Sequence, residues 1–230
     1  MKIHSYNRLN PQIQFKKKFK QPIMSRSLEN DKQTRSVITD KREAILRAAT
    51  KVFADKGYFN SKVADIAKEA GIADGTVYLY FKSKEEILHS IFDRAMDEFI
   101  SESKHEIAQI EKVEDRLRKI AELHLEKLGS DREKAVVFQV ELRGSTKFME
   151  EFSATGFAAY LEIMRKTIEE GQNQGVFRKD MHPITCAKIL YGALDEMVTN
   201  WVLSKNSYAL APMANEVLKI FFGGIYEKQN

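Results

Sequence analysis

Residues 60–87 read NSKVADIAKEAGIADGTVYLYFKSKEEI, and this stretch decides the fold. It predicts two short helices joined by a tight turn, then the capped start of a longer helix. Ser61 is placed to cap the first through Ala70, Gly71 to make the turn, and Asp74 to cap a second, short helix ending near Tyr80. Ser83, with Glu86 three residues on, forms a capping box for the long helix. Ile66, Ala67, Ala70, Ile72 and Val77 supply a small inner core, and Gly71 allows the left-handed backbone a turn often needs. A helix-turn-helix of this kind lays its second helix in the major groove while the first crosses the backbone. The residues left for DNA are Ser61, Lys62, Ala73, Gly75, Thr76, Tyr78, Tyr80, Lys82 and Lys84. Gly75 lets the backbone approach a phosphate, and the Thr76 methyl suits a thymine methyl. The tyrosine hydroxyls and the two lysines suit phosphates. A plainer reading has the tyrosines packing, Tyr80 with Phe81 against the long helix.

Working towards the N-terminus, Asp40 is expected to cap a helix from Lys41 to about Lys56. Ile45, Ala49, Val52 and Phe53 lie at helical spacing, and Gly57 stops it. Residues 1–39 show no apolar periodicity and read as a basic, mobile arm, with Met24 a sensible alternative start. Charge is uneven. Residues 1–40 hold nine Lys/Arg against three Asp/Glu, and residues 90–230 hold 19 against 23. A basic end above an acidic body suits phosphate contact at that end, although a solvated tail would look the same.

Working towards the C-terminus, Ile87, Leu88, Ile91, Phe92, Ala95, Met96 and Phe99 give the long helix an apolar stripe. Helices follow over Val113–Leu128, Arg132–Leu142, Lys147–Asn173, Ile184–Leu203 (opened by Pro183) and from Pro212 to about Ile225, with no strand alternation. The expected architecture is all-α, with about nine helices. A three-helix DNA-binding domain (40–87) follows the arm and precedes a helical body (88–230). Phe92, Met96 and Phe99 face a body rich in Phe138, Leu142, Phe152, Phe157, Tyr160, Met164 and Ile168. That excess suits an adaptable apolar cavity or a solid core equally well. The last two helices carry apolar stripes, Tyr191, Leu194, Val198, Trp201 and Leu203 on one, and Val217, Leu218, Phe221, Phe222 and Ile225 on the other. These are read as a homodimer face. Asp195 and Glu196 interrupt the first stripe, with three roles open: a rim position, an ion pair or a ligand contact.

Enzyme classes find little support. His105, His124 and His182 lack neighbours at metal-ligand spacing, and there is no phosphate loop or nucleophile elbow. No metal or catalytic residue is assigned. The lone Cys186 excludes an intrachain disulfide and argues for a reducing, cytoplasmic setting. The N-terminus lacks a secretory apolar region, and no run approaches the roughly 20 apolar residues of a membrane span.

The run IAKEAGIADGTVYLYFKSKEEIL resembles the DNA-binding signature of the TetR family of bacterial regulators, matching at Ile66, Ala67, Ala70, Gly71, Gly75, Thr76, Tyr78, Tyr80, Phe81, Lys84 and Leu88. The resemblance implies a nine-helix protomer, a homodimer paired through its last two helices, and repression of transcription relieved by a small effector. Two-fold symmetry would then space the reading helices about 34–36 Å apart. FQVELRGS and YGALDEMVTNWVLSKNSYAL add a looser similarity to the TetR-type repressors of fatty-acid degradation of Gram-positive bacteria. Membership there implies a long-chain acyl-CoA effector and no cofactor. Its chain would occupy the apolar residues named above, and its head would need cations, Arg143 first and Lys147 second, with Arg165 and Lys166 unranked. For Arg143 the competing expectation is an ion pair with Glu141 or another body carboxylate. Other functions that fit are control of drug efflux or another operon, and an architectural DNA binder without effector, which would have a solid core.

Overall fold

The computed structural model describes residues 23–144, 147–150, 156–206 and 208–226, with the backbone alone for 23–38. The chain divides into two compact units, with the division between Lys41 and Arg42. Every regular element among the described residues is helical; an isolated antiparallel bridge joins Phe177 and Tyr226.

Helix α1 spans Ile23–Lys56. It therefore begins well before Asp40, which caps nothing. Residues 23–39, expected as arm, are helical, and the rest of the expected arm lies outside the described residues. Gly57 ends α1 at φ +80°. Helix α2 (Val63–Glu69) is capped by Lys62, not Ser61. The Lys62 amide donates to the Asp65 carboxylate at 2.8 Å, while the Ser61 hydroxyl turns inward and donates to the Tyr58 carbonyl at 2.9 Å. Gly71 makes the turn at φ +68°. Helix α3 (Asp74–Val77) has Ala73 as its N-cap, so Asp74 sits in its first turn and favours the positive end of the helix from there. Helix α4 (Lys84–Ile107) is capped by Ser83, whose hydroxyl accepts from the Glu86 amide at 3.1 Å; the Glu86 carboxylate reaches back to the Lys82 amide.

Helix α5 spans Val113–Gly129 and α6 Arg132–Val136. Beyond α6 the chain changes winding, to a π-helical turn over Val137–Glu141 and a 3₁₀ turn over Leu142–Gly144. Such changes mark strain or function more often than ordinary helix does. The expected helix Lys147–Asn173 is helical at 147–150 and again in α7 (Gly156–Asn173); the part between, with Phe152, lies outside the described residues. Helix α8 spans Pro183–Leu203, with Pro183 in its first turn, and α9 spans Met213–Ile225.

Two hydrophobic cores result. The first gathers Ile45, Ala49, Phe53, Ile66, Ala67, Val77, Phe81, Ile87, Leu88 and Phe92 and takes in Val137, Leu142 and Phe148 from farther along the chain. The second packs α5, α7, α8 and α9 around Leu117, Ile120, Met164, Ile168, Leu194 and Leu218. Helix α4 serves both, its early turns in the first and Met96 in the second. The division expected at residues 87 and 88 falls inside this continuous helix.

The stripes read as a dimer face are mostly inner faces. Leu194, Val198, Trp201, Leu218, Phe221, Phe222 and Ile225 are buried within the protomer. Their spacing marks a buried face but does not say against which partner. The apolar groups that α8 and α9 expose include Ile184, Ile189 and Ile220, the last 79% exposed, and Leu203, the one exposed member of the expected stripes; Gly192, Gly223 and Gly224 leave open backbone on the same two helices.

Candidate DNA-reading unit and effector cavity

The α2–turn–α3 unit is held by Ile66, Ala67 and Val77, all fully buried, with Ala70 and Ile72 packed beside them. This fixes which way α3 faces. Ala73, Gly75, Tyr78 and Lys82 are exposed, and Thr76 and Tyr80 are half-buried. Lys62 is exposed and Ser61 is buried. Leu79, which the sequence reading passed over, is 81% exposed beside Tyr78. Its signal was available, because it is out of phase with the buried Val77.

Lys84 has a different part from the one expected. Its ammonium donates to the carbonyls of Tyr58 at 2.6 Å and Ser61 at 2.8 Å, and lies 4.3 Å from the centre of the Tyr58 ring. Partial burial lowers its pKa. The lysine ties the start of α4 to the link between α1 and α2. Lys82 keeps its side chain in solvent.

The body holds a partly open cavity of about 210 Å³ between α4, α5, the α6–π stretch, α7 and α8. Of the residues expected to bind ligand, Met96, Phe99, Phe138, Leu142, Arg143 and Tyr160 line it. Four do not. Phe92 lies in the first core, its ring 4.7 Å from that of Phe138; Met164 and Ile168 are fully buried in the second core. Lys147 pairs with Glu85, near the reading unit. Helical periodicity marked Phe92, Met164 and Ile168 as inward-facing, but packing decides which inner space each one fills; Lys147 was expected only as a cation for the ligand head. Arg165 and Lys166 pair with carboxylates of their own helix, Arg165 with Glu162 and Glu169 and Lys166 with Glu162.

The polar part of the wall centres on Asp195. This buried carboxylate accepts from Gln139 at 2.8 Å and from the Tyr191 hydroxyl at 3.1 Å, and forms an ion pair with Arg143. The pairing of Arg143 with a body carboxylate thus exists, with Asp195 and not Glu141. Glu196 points outwards and accepts from Asn200. Nearby, His124 and Tyr160 share a hydrogen bond of 3.1 Å with rings stacked. Burial raises the Tyr160 pKa far above its usual range and lowers that of His124 to about 4, against an opposing pull from Asp195. Both groups are therefore uncharged, and the imidazole Nε2 is a buried atom without a hydrogen-bond partner. In the sequence His124 has no partner at metal-ligand spacing, which says nothing of its place in the body. The better signal was its position, four residues after Ile120 and seven after Leu117, where α5 otherwise presents apolar groups. No group of His, Cys, Asp or Glu among the described residues is arranged to hold a metal.

This combination, a capped helix-turn-helix joined by one long helix to a helical body with a cavity, defines a helix-turn-helix DNA-binding protein with a separate helical body. Residues 45–91 match the family of bacterial regulatory proteins of the tetR type, and residues 92–224 match the C-terminal region of YsiA-like proteins. The chain belongs to the TetR family of DNA-binding transcriptional regulators. It is 35% identical over 184 residues to the fatty acid metabolism regulator protein of Bacillus subtilis (strain 168), covering 80% of this chain and 95% of that one. Among solved structures it is similar to the fatty acid degradation regulator FadR from Bacillus halodurans (34% identity, TM-score 0.76, 80% and 95% of the two chains). It is equally similar to the regulator FadR from Bacillus subtilis in complex with stearoyl-CoA (34% identity, TM-score 0.75, 80% and 99%). These relatives are transcriptional regulators, not enzymes. No helix among the described residues is long and apolar enough to cross a membrane.

Proposed function

We propose that this protein represses fatty-acid-degradation genes and leaves its operator when a long-chain acyl-CoA enters the body. The cavity is the observation that carries this reading. It is lined by Met96, Phe99, Phe138, Leu142, Met149 and Phe157, with a polar wall at Arg143 and Asp195. A hollow body has no use in an architectural DNA binder. The similarity to a regulator crystallised with stearoyl-CoA favours an acyl thioester over a drug-like ligand.

The cavity is smaller than the roughly 300–1,000 Å³ of ordinary small-molecule sites. A long chain must push its walls apart, and two flexible methionines make that feasible. The walls that yield include α4, which also starts at the DNA-reading unit. DNA is contacted by the outer face of α3 through Gly75, Thr76, Tyr78 and Leu79, with Lys62 and Lys82 on phosphates and Lys84 as a brace. A second copy of the chain joins through the exposed apolar side of α8 and α9, since apolar groups so exposed favour a partner. Calorimetric titration with stearoyl-CoA tests the effector: saturable micromolar binding is expected, with free CoA binding far more weakly. Equal binding of both, or of neither, contradicts an acyl-CoA effector.

A further inference from the structure

We infer that Glu141 is the positioning residue through which the cavity acts on the DNA-reading unit. This rests on the cavity being the effector site, not on which effector fills it. Residues 137–144 divide their side chains between the two halves of the molecule. Val137 and Leu142 are buried in the reading core, while Phe138, Gln139, Leu142 and Arg143 line the cavity. Glu141 goes farther. Its carboxylate accepts a hydrogen bond from the Tyr58 amide at 2.6 Å, one residue after the left-handed turn at Gly57. Tyr58 belongs to the short link between α1 and α2, the same link whose carbonyls hold Lys84 and the Ser61 hydroxyl. A carboxylate bonded to a backbone amide is a strong, directional tie. It joins the element that lines the cavity to the peptide that sets the entry of α2.

The other face of the stretch, on either side of Glu141, is held by Asp195 through Gln139 and Arg143. A molecule that widens the cavity or competes for these groups releases that face. The stretch is already wound as π and 3₁₀ turns, which hold less firmly than α-helix, so a change of winding costs little. Any such change moves Glu141 relative to Tyr58, and with it the reading unit. Glu141 touches neither DNA nor effector in this scheme.

A double-mutant cycle on operator affinity tests the idea without any effector. Asp195→Asn, a change of nearly equal size, loosens the cavity end. It is expected to weaken operator binding at least about fivefold, the low end of ordinary coupling between sites. With Glu141→Ala present, the same change is expected to move affinity less than about twofold, and Glu141→Gln, which keeps an acceptor, restores most of the response. Tyr191→Phe, which removes one hydrogen bond to the same carboxylate, replaces Asp195→Asn if that variant does not fold. Equal factors with and without Glu141→Ala overturn the inference, as does an operator affinity that ignores the cavity change altogether. A parallel titration with stearoyl-CoA separates the two readings. An unresponsive wild type rejects the acyl-CoA effector and leaves the cycle to decide the coupling.

Discussion

The two cores of this molecule are built by different rules. In the DNA-reading core, side chains from residues 45–92 do most of the packing, and the polar ends of its helices are closed by near neighbours: Lys62 with Asp65, and Ser83 with Glu86. In the body, the decisive contacts join groups far apart in sequence. Gln139 meets Asp195, His124 meets Tyr160, and Arg132 reaches the carbonyls of Trp201 and Val202. The first core is organised to hold one shape against a charged partner. The second lines a space mostly with apolar side chains and closes one wall with the polar cluster around Asp195. A reader closed by local contacts beside a body with room inside is the division of labour that the proposed ligand control needs.

If that contrast is right, acid should act on the body first. The folded pKa of His124 lies near 4, below its ordinary value of 6.5. Above that ordinary value the group is neutral in both states and pH has no effect through it. As pH falls from about 6.5 towards 4, the unfolded chain takes up the proton first, and stability drops by up to about 3 kcal/mol. His124→Gln should flatten this part of a denaturation-versus-pH curve. An unchanged slope in the variant would place the acid sensitivity elsewhere.

The next effect lies in the reading core. Removing the ammonium of Lys84 leaves two carbonyls short of a charged donor, so Lys84→Ala should lower stability by about 1–3 kcal/mol in urea denaturation. The salt dependence of its DNA binding should stay as in the wild type. Lys82→Ala, by contrast, should leave stability alone and reduce the salt slope by about one. If the two lysines exchange these behaviours, the inward brace is wrong. Tyr78 is 57% exposed and carries little of the fold. Tyr78→Ala should therefore weaken operator binding at least about tenfold, the value of a single good contact, with melting temperature and dimerisation unchanged. Unaltered affinity in a mobility-shift assay would mean that another face of α3 meets DNA.

The same contrast explains what could be read from the sequence. The reading unit was legible because turn glycines, caps and apolar spacing act within a few residues. Gly57 ends α1, Gly71 adopts the left-handed backbone expected of it, and Ser83 caps α4. Even there, side-chain direction was misjudged where a tertiary partner outcompeted the local one: Ser61 turned to Tyr58, and Lys84 turned inward. In the body, the helices followed from periodicity and the cavity's apolar lining was half found. The missing half was polar. Asp195 was noticed as an oddity in a stripe, but nothing in the sequence says that Gln139, Tyr191 and Arg143 meet it. Nor does periodicity distinguish a face buried against one's own chain from a face awaiting another, and that is why the stripes of α8 and α9 misled.

Loosening of the reading unit's grip on DNA when an acyl-CoA fills the body cavity is the coupling expected of this molecule. It is tested most directly by fluorescence anisotropy on a labelled operator selected from a random pool, titrated with protein at fixed stearoyl-CoA concentrations. Operator affinity is expected to fall as stearoyl-CoA rises and then to level off. Operator DNA must weaken stearoyl-CoA binding by the same factor, because the coupling is reciprocal. Operator affinity that stays constant at saturating stearoyl-CoA would contradict it.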